Sequence, residues 1–328
     1  MANKITPSDL LNLFLKQQKD LSKQEGAVVK RLINTYGILY KKLLPRIRNI
    51  ELLLKSNPEI TVAQLKKSPE YTELIDEIES GVSDFSTYTK VDLGSANVAI
   101  AALVASHLSE FFKLSGAKGS LLSVDAISLL TDKLATGGKL AGRIELWAPN
   151  AAEQVGKAIV DGVNLGRNPV KIAQDIRKAF GVGLSDAIRT TRTVQLWSYR
   201  EATRANYILN SNIVKGWIWL AELDPDRTCM SCVAMHGTIH PLSEELNDHH
   251  NGRCAMIPLL DGVDYGLPNA EEWFNALSAT QKSKQMGMGR YQAYSEGKFK
   301  FAQLSKVVDD EVYGSMRVET PLKELINE

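Results

Sequence analysis

Between Cys229 and Cys254 the chain gathers all three of its cysteines and four of its five histidines, His236, His240, His249 and His250. Cysteine and histidine together supply only 8 of 328 residues, three and five respectively, so this density points to one shared site. Cys229 and Cys232 are separated by two residues, the spacing at which a tight turn lets both thiolates reach one ion at about 2.3 Å. Sixteen residues intervene before His249, and four more before Cys254. Three thiolates and one imidazole make a closed tetrahedral set of the structural kind. A sulfur-rich shell of this sort selects zinc over magnesium or calcium. The expected ligands are Cys229, Cys232, His249 and Cys254. His250 is the alternative to His249, while His236 and His240 are placed only to support ligands from behind. Against this stands the plainer reading, in which the cysteines are small buried apolar residues and the histidines belong to loops. An odd, sparse and clustered set of cysteines does not make a disulfide framework, which fits a reducing compartment.

A catalytic use of the same residues finds less support. The run "DHHN" beside a CxxC is shared with His-Asn-His nucleases, in which a histidine activates water and a metal clamps the phosphate. Those with a zinc knuckle need a second CxxC, and Cys254 has no cysteine downstream. A zinc deaminase needs His-x-Glu ahead of Pro-Cys-x-x-Cys, whereas the residues before Cys229 read "LDPDRT". No local signature marks a cysteine nucleophile. The expectation is a protein that is not an enzyme, with the nuclease as the alternative.

The rest of the chain is read as mainly α. In residues 1–135 the apolar positions Leu11, Phe14, Leu21, Val28, Leu32, Tyr36, Leu39, Leu43, Ile47, Ile50 and Leu54 recur at helical spacing. Pro45 is expected to end or kink that helix. Thr61 with Gln64 forms a capping box, and Ser68-Pro69-Glu70 opens the next helix. "ANVAIAALVASHLSEFFKL" reads as a helix buried nearly all round, with His107 a packed core residue. Residues 136–215 form a second helical stretch, with Asn168 and Pro169 starting one helix and Ser185 capping another. "VKGWIWL", "GTIHPL" and "RCAMIPLL" read as short strands, so residues 216–262 make a small zinc-stapled α+β module. Residues 263–328 are a helical tail. The net charge of +1 gives no global reason to expect nucleic acid or an anionic membrane. A local basic excess between Lys16 and Arg48 reads as a solvated face before it reads as a DNA track. No apolar run approaches the roughly 18 to 20 residues of a membrane span, and the start lacks the pattern of a signal peptide.

The Trp-bearing strand, the acidic turn, "RTCMSC", "HGTIHPL" and "HHNGRCAMIP" together resemble the head morphogenesis family of tailed phages, the minor head proteins of the phage Mu protein F type. Thr228, Cys229, Cys232, Gly237, His249, Asn251, Arg253, Cys254 and Pro258 take the places of that family's motif. His250 stands where proline is usual, and Gly252 where the first cysteine of a closing pair is usual. That change rules against a site of four thiolates and favours His249 as fourth ligand. Upstream, "IVDGVNLGRNPVKIAQDIRKAF" and "AIRTTRTVQLWSYREATRANY" are similar to the family's helix pair; downstream, "GRYQAYSEGKFKFAQL" is similar to its closing segment. The resemblance covers residues 140–310. It implies a non-enzymatic minor head protein, assembled in the host cytoplasm and carried in the virion at the head interior or portal vertex. The implied partners are the portal protein first, then the major capsid protein and phage DNA, with no membrane.

Overall fold

The computed structural model describes residues 6–136, 139–311 and 313–326. The chain begins with helix α1 (Pro7–Ser56), the short α2 (Val62–Lys66) and α3 (Pro69–Ser115), continues with α4 (Val124–Thr136), α5 (Lys139–Glu145) and α6 (Trp147–Asn164), and then runs into α7 (Pro169–Leu209). Strand β1 (Val214–Leu220), helix α8 (Met230–Met235) and strands β2 (Ile239–His240) and β3 (Ala255–Leu260) follow. After them come α9 (Ala270–Ala276), α10 (Ala279–Met286), α11 (Met288–Ser295), a 3-10 turn at Phe301–Leu304, the hairpin of β4 (Ser305–Asp310) and β5 (Gly314–Glu319), and α12 (Leu322–Leu325). The fold is mainly α with a small strand module near its C-terminal end, as the sequence pattern predicts.

Several local signals act as expected. Thr61 and Gln64 close a capping box around the start of α2, and Ser68 Oγ accepts from the Tyr71 amide at the start of α3. The side chain of Asn168 accepts from Val170 N at 2.8 Å, and Pro169 is the first residue of α7. Other signals are overridden. Pro45 does not end α1, which continues to Ser56. Proline removes one helical hydrogen bond, but Leu43, Ile47 and Ile50, on either side of it, are almost completely buried and hold the stripe in line. Nor does Ser185 start a helix, because α7 runs unbroken for 41 residues. The glycines of "FGVG" belong inside it. A Cβ at Gly183 would lie 2.8 Å from Tyr36 Oη, which itself donates to the Phe180 carbonyl at 2.7 Å. Gly183 makes room for a buried hydroxyl; it is not a break.

Helix α3 corrects two expectations. The segment from Ala96 is not apolar all round: Ala96, Ile100, Val104, Leu108 and Phe111 are buried, while Val98 is 53% exposed, the pattern of one inward face. The helix also contains an 18-residue stretch of mean hydropathy 1.4, so by length and composition it could cross a membrane, contrary to the reading that no run is long enough. Of that stretch, 44% is buried inside the fold, and the core helix of a packed body has the same composition.

The division into packed units does not follow the four consecutive segments 1–135, 136–215, 216–262 and 263–328. One unit comprises Met1–Gln24, Asn97–Leu134 and Gln195–Glu328, the other Glu25–Ala96 and Ala135–Val194. Helices of 41 to 50 residues rise about 1.5 Å per residue, so α1, α3 and α7 each serve both units with different stretches. In the second unit Tyr36 stacks on Phe180 with ring centroids 4.7 Å apart, and Phe85 lies against both Tyr36 and Trp147. Basic residues of α1 are paired with acids: Arg31 with Asp92 at 2.9 Å and Arg46 with Glu73.

In the first unit the apolar faces of α1, α3 and α7 share one core with the three-stranded sheet. The sheet is antiparallel in the order β2-β1-β3, with Trp217 opposite both His240 and Pro258 and Leu220 opposite Ala255. The tail is not wholly helical, since the β4–β5 hairpin occupies part of it. Nor is it an appendage: Phe274, Met286, Phe301 and Leu304 form a second core with Met230 and Val233 of α8.

His107 is the packed core residue expected of it, 4% exposed, with Nδ1 2.8 Å from Tyr199 Oη. Burial pushes its pKa from 6.5 down to about 4, against the opposing charges of Asp20, with a carboxylate oxygen 3.8 Å from Nε2, and Glu110; Lys16 works in the same direction as burial. Below pH 6.5 the unfolded chain therefore binds this proton and the folded chain does not, so stability falls with pH. As the pH drops from 7.5 to 4.5 the loss from this residue is on the order of 2 kcal/mol. Urea unfolding at those two pH values should show a drop larger by about that amount in the wild type than in His107→Leu; equal drops would refute the assignment.

Candidate metal centre

The CxxC stands where a turn becomes a helix. Cys229 is the N-cap of α8, in extended backbone geometry, and its sulfur accepts from the amide of Cys232 at 3.4 Å. A cap and the third residue of the first turn lie on the same side of a helix start, which explains why two intervening residues bring these sulfurs together. A second orphan amide of the same turn, that of Met230, is taken by Glu319 Oε1 of β5 at 2.8 Å. Thr228 donates to the Glu222 carbonyl and so fixes the approach from β1.

The other half of the site arrives on the loop that feeds β3. His249 Nε2 lies 3.1 Å from Cys229 Sγ and 3.2 Å from Cys232 Sγ. Its Nδ1 is 2.8 Å from the His250 carbonyl, an acceptor only, so Nδ1 carries a hydrogen. Against burial, Cys229 and Asp248 raise the ring's pKa to about 9, so a metal ion would have to displace the Nε2 proton to reach the lone pair that faces the sulfurs. Cys254 is buried just before β3, which the ladder with β1 holds in place. The donor atoms of Cys229, Cys232 and His249 all lie within 4.8 Å of one another, and so do those of Cys232, Asp248 and Cys254. Two triads thus overlap at Cys232. Sulfurs sharing a tetrahedral ion at about 2.3 Å stand roughly 3.8 Å apart, so the residues fit a metal ion. The four sequence-predicted ligands are gathered in one cluster compatible with a metal.

His250 points elsewhere. Its ring meets Tyr313 edge to face with centroids 4.2 Å apart, and its Nε2 is 3.9 Å from Asp310. His236 is 3.0 Å from the Ala221 carbonyl, and His240 stacks on Trp217 while bonding to Thr238 and Glu244. Neither of these two supports a ligand from behind.

Electrostatics favour a cation. The Cys229 thiol is lowered by the neighbouring Cys232 thiol and, against burial, by His249. Cys232 is pushed well up by Cys229, Cys254 and burial, and Cys254 is raised by burial and by the charge of Asp248. Burial in a low dielectric opposes several thiolates together; a divalent ion among them removes that penalty.

The sequence pattern did not single out the residues that hold this loop. Arg200, 5% exposed on α7, donates through Nε to the Cys254 carbonyl at 3.0 Å. Its Nη2 donates to Asp248 Oδ2, the Gly252 carbonyl and the Cys254 carbonyl at 3.1, 2.7 and 2.9 Å. The fully buried Asp248 accepts from His249 N at 2.8 Å and from Cys254 N at 3.2 Å, and Cys232 Sγ donates to it at 3.3 Å. Burial alone raises its pKa, but Arg200 and His249 bring it below the ordinary carboxylate value. Gly252 has no room for a side chain, because a Cβ there would lie 2.0 Å from the Asp248 carboxylate. One signal for Arg200 was present in the sequence: it falls four residues after Leu196, on the same side of a helix as that apolar side chain. For Asp248, in the polar run "NDHHN", there was none.

No protein-family model, no curated protein and no solved structure matches the chain.

Removing Arg200 strands a buried carboxylate and two carbonyls, a loss of about 3–5 kcal/mol. Arg200→Ala should therefore lower the urea midpoint sharply and weaken metal retention, and Arg200→Lys, lacking the planar fork, should not restore either. A variant within about 1 kcal/mol of wild type would show that the clasp does not hold the loop.

Proposed function

We propose that Cys229, Cys232, His249 and Cys254 hold one structural zinc ion, and that the protein is a minor head protein of a tailed phage, associated with the portal and acting in head assembly and in DNA packaging or ejection. The observation that carries the metal reading is the convergence of His249 Nε2 on the sulfurs of the CxxC, with the ring tautomer set by the His250 carbonyl. Zinc is favoured over harder ions by the thiolate set. Bound there, it supplies a cross-link between α8 and the loop before β3. A closed shell of protein ligands serves structure, not catalysis, which supports a non-enzymatic role.

The phage reading rests on the resemblance of residues 140–310 to the phage Mu protein F type. Gly252 adds a physical detail to it. Where that family usually has a cysteine, this chain has the Asp248 carboxylate in the space a side chain would need. The protein would work in the virion, with the portal as first partner and the major capsid protein and DNA after it. The basic run of α1 gives the DNA reading limited support, because Lys16, Lys23, Arg31 and Arg46 are engaged in ion pairs. The nuclease alternative needs His250 beside His249, and that ring is turned to Tyr313.

Elemental analysis of the purified protein should give one zinc per chain, lost in Cys229→Ser and Cys232→Ser and kept in His250→Ala. Less than a tenth of an equivalent, or loss in His250→Ala alone, overturns the ligand set. The partner reading predicts that the protein co-purifies with portal-containing assemblies from infected cells and is found in finished particles. Recovery only with other head or tail components, never with portal, overturns it.

A further inference from the structure

The first unit contains a cavity of about 540 Å³, within the range of small-molecule sites. Its walls come from the first part of α1, the middle of α7 and the start of β3. Phe14, Leu21, Leu108, Leu196 and Met256 give it an apolar floor, each under a tenth exposed. The polar atoms on those walls are engaged within the fold. Tyr207 Oη donates to the Met256 carbonyl, Thr203 Oγ1 to the Tyr199 carbonyl, and Gln17 Nε2 to the His107 carbonyl; Tyr199 Oη meets His107. Whatever enters must therefore be apolar along its buried length, since the interior has little left with which to bind polar groups.

The mouth is different. Lys19, Arg227 and Arg253 are exposed there, with Glu222 as the opposing acid. Neither Lys19 nor Arg227 has an ion-pair partner among the described residues. The rim is thus cationic over an apolar well.

We propose that this cavity binds a small amphiphile with an aliphatic tail and an anionic head, of the class of a medium-chain fatty carboxylate. The tail fills the well between α1 and α7, and the head lies between Lys19 and Arg227. Cys254 and Arg200 also line this cavity, so it adjoins the Cys/His cluster; the tail and head contacts proposed here involve neither of them.

The probes are sodium octanoate, decanoate and dodecanoate, titrated calorimetrically into the full chain, with dodecyltrimethylammonium as the cationic control. Burial of each added methylene should tighten binding about fourfold, and the cationic control should bind at least tenfold more weakly than dodecanoate. Lys19→Glu with Arg227→Glu, both exposed, should weaken dodecanoate tenfold or more. The same reversal at Lys41 and Lys42, in the other unit, should leave it unchanged. No binding of dodecanoate, indifference to chain length, or equal uptake of the cationic control overturns the proposal. So does a dodecanoate affinity that Lys19→Glu with Arg227→Glu leaves untouched, which would place the site elsewhere.

Discussion

The buried pair of Arg200 and Asp248 connects the Cys/His cluster to helix α7. Taking two charges out of water costs several kcal/mol per ion, recovered only where geometry and additional hydrogen bonds are good. Here the guanidinium makes bonds to one carboxylate and two carbonyls, and the carboxylate accepts from two amides and a thiol. Asp248 in this way touches His249, Cys232 and Cys254 together. Arg200 sits on the stretch of α7 whose other inward residues belong to the core of the first unit. A loop with little apolar content of its own is thereby held in register with a 41-residue helix. The cluster's geometry depends on this pairing as much as on the cysteines.

Much of the fold follows from patterns visible along the chain. Helical spacing in α1 named the residues that are buried, from Phe14 to Leu54. The Thr61 box, the Asn168 cap and the strands flanking the CxxC are local effects, decided by a few neighbouring residues. Where reading failed, distant contacts decided. Pro45 remains in a helix because buried residues on both sides outweigh one lost hydrogen bond. Gly183 signals a break by composition, yet serves a hydroxyl that comes from a helix about 150 residues earlier in the chain. The β4–β5 hairpin was missed because "KVVDDEVYGSMRVE" is short and half-exposed, with alternation too weak to distinguish from a tail.

The candidate site divides along the same line. Its donors were legible because cysteine and histidine are rare and their spacing carries chemical meaning. Spacing alone left His249 and His250 open, since adjacent residues satisfy it equally; only the family resemblance favoured His249. The structure separates them through the His250 carbonyl and the Tyr313 ring, neither of which a spacing rule contains. Arg200 and Asp248 lie 48 positions apart, and a single sequence offers no means of pairing them.

The overlap of two triads at Cys232 raises the question of whether Cys254 or Asp248 completes a tetrahedral shell. The carboxylate keeps three partners that metal binding to the cysteines would not remove: Oδ1 accepts from His249 N, and Oδ2 from Cys254 N and Arg200. Turning it to a metal would break bonds that satisfy buried donors, a cost of about 1–3 kcal/mol for each donor left behind. The Cys254 sulfur stands beside that of Cys232 and needs only to lose a proton, which a cation at the centre favours. Thiolate is also the softer donor, and a shell that already holds two sulfurs prefers a third to an oxygen. In that proposed shell Asp248 would stay outside, orienting the His249 and Cys254 backbones while its own charge is met by Arg200, as residues behind metal ligands do.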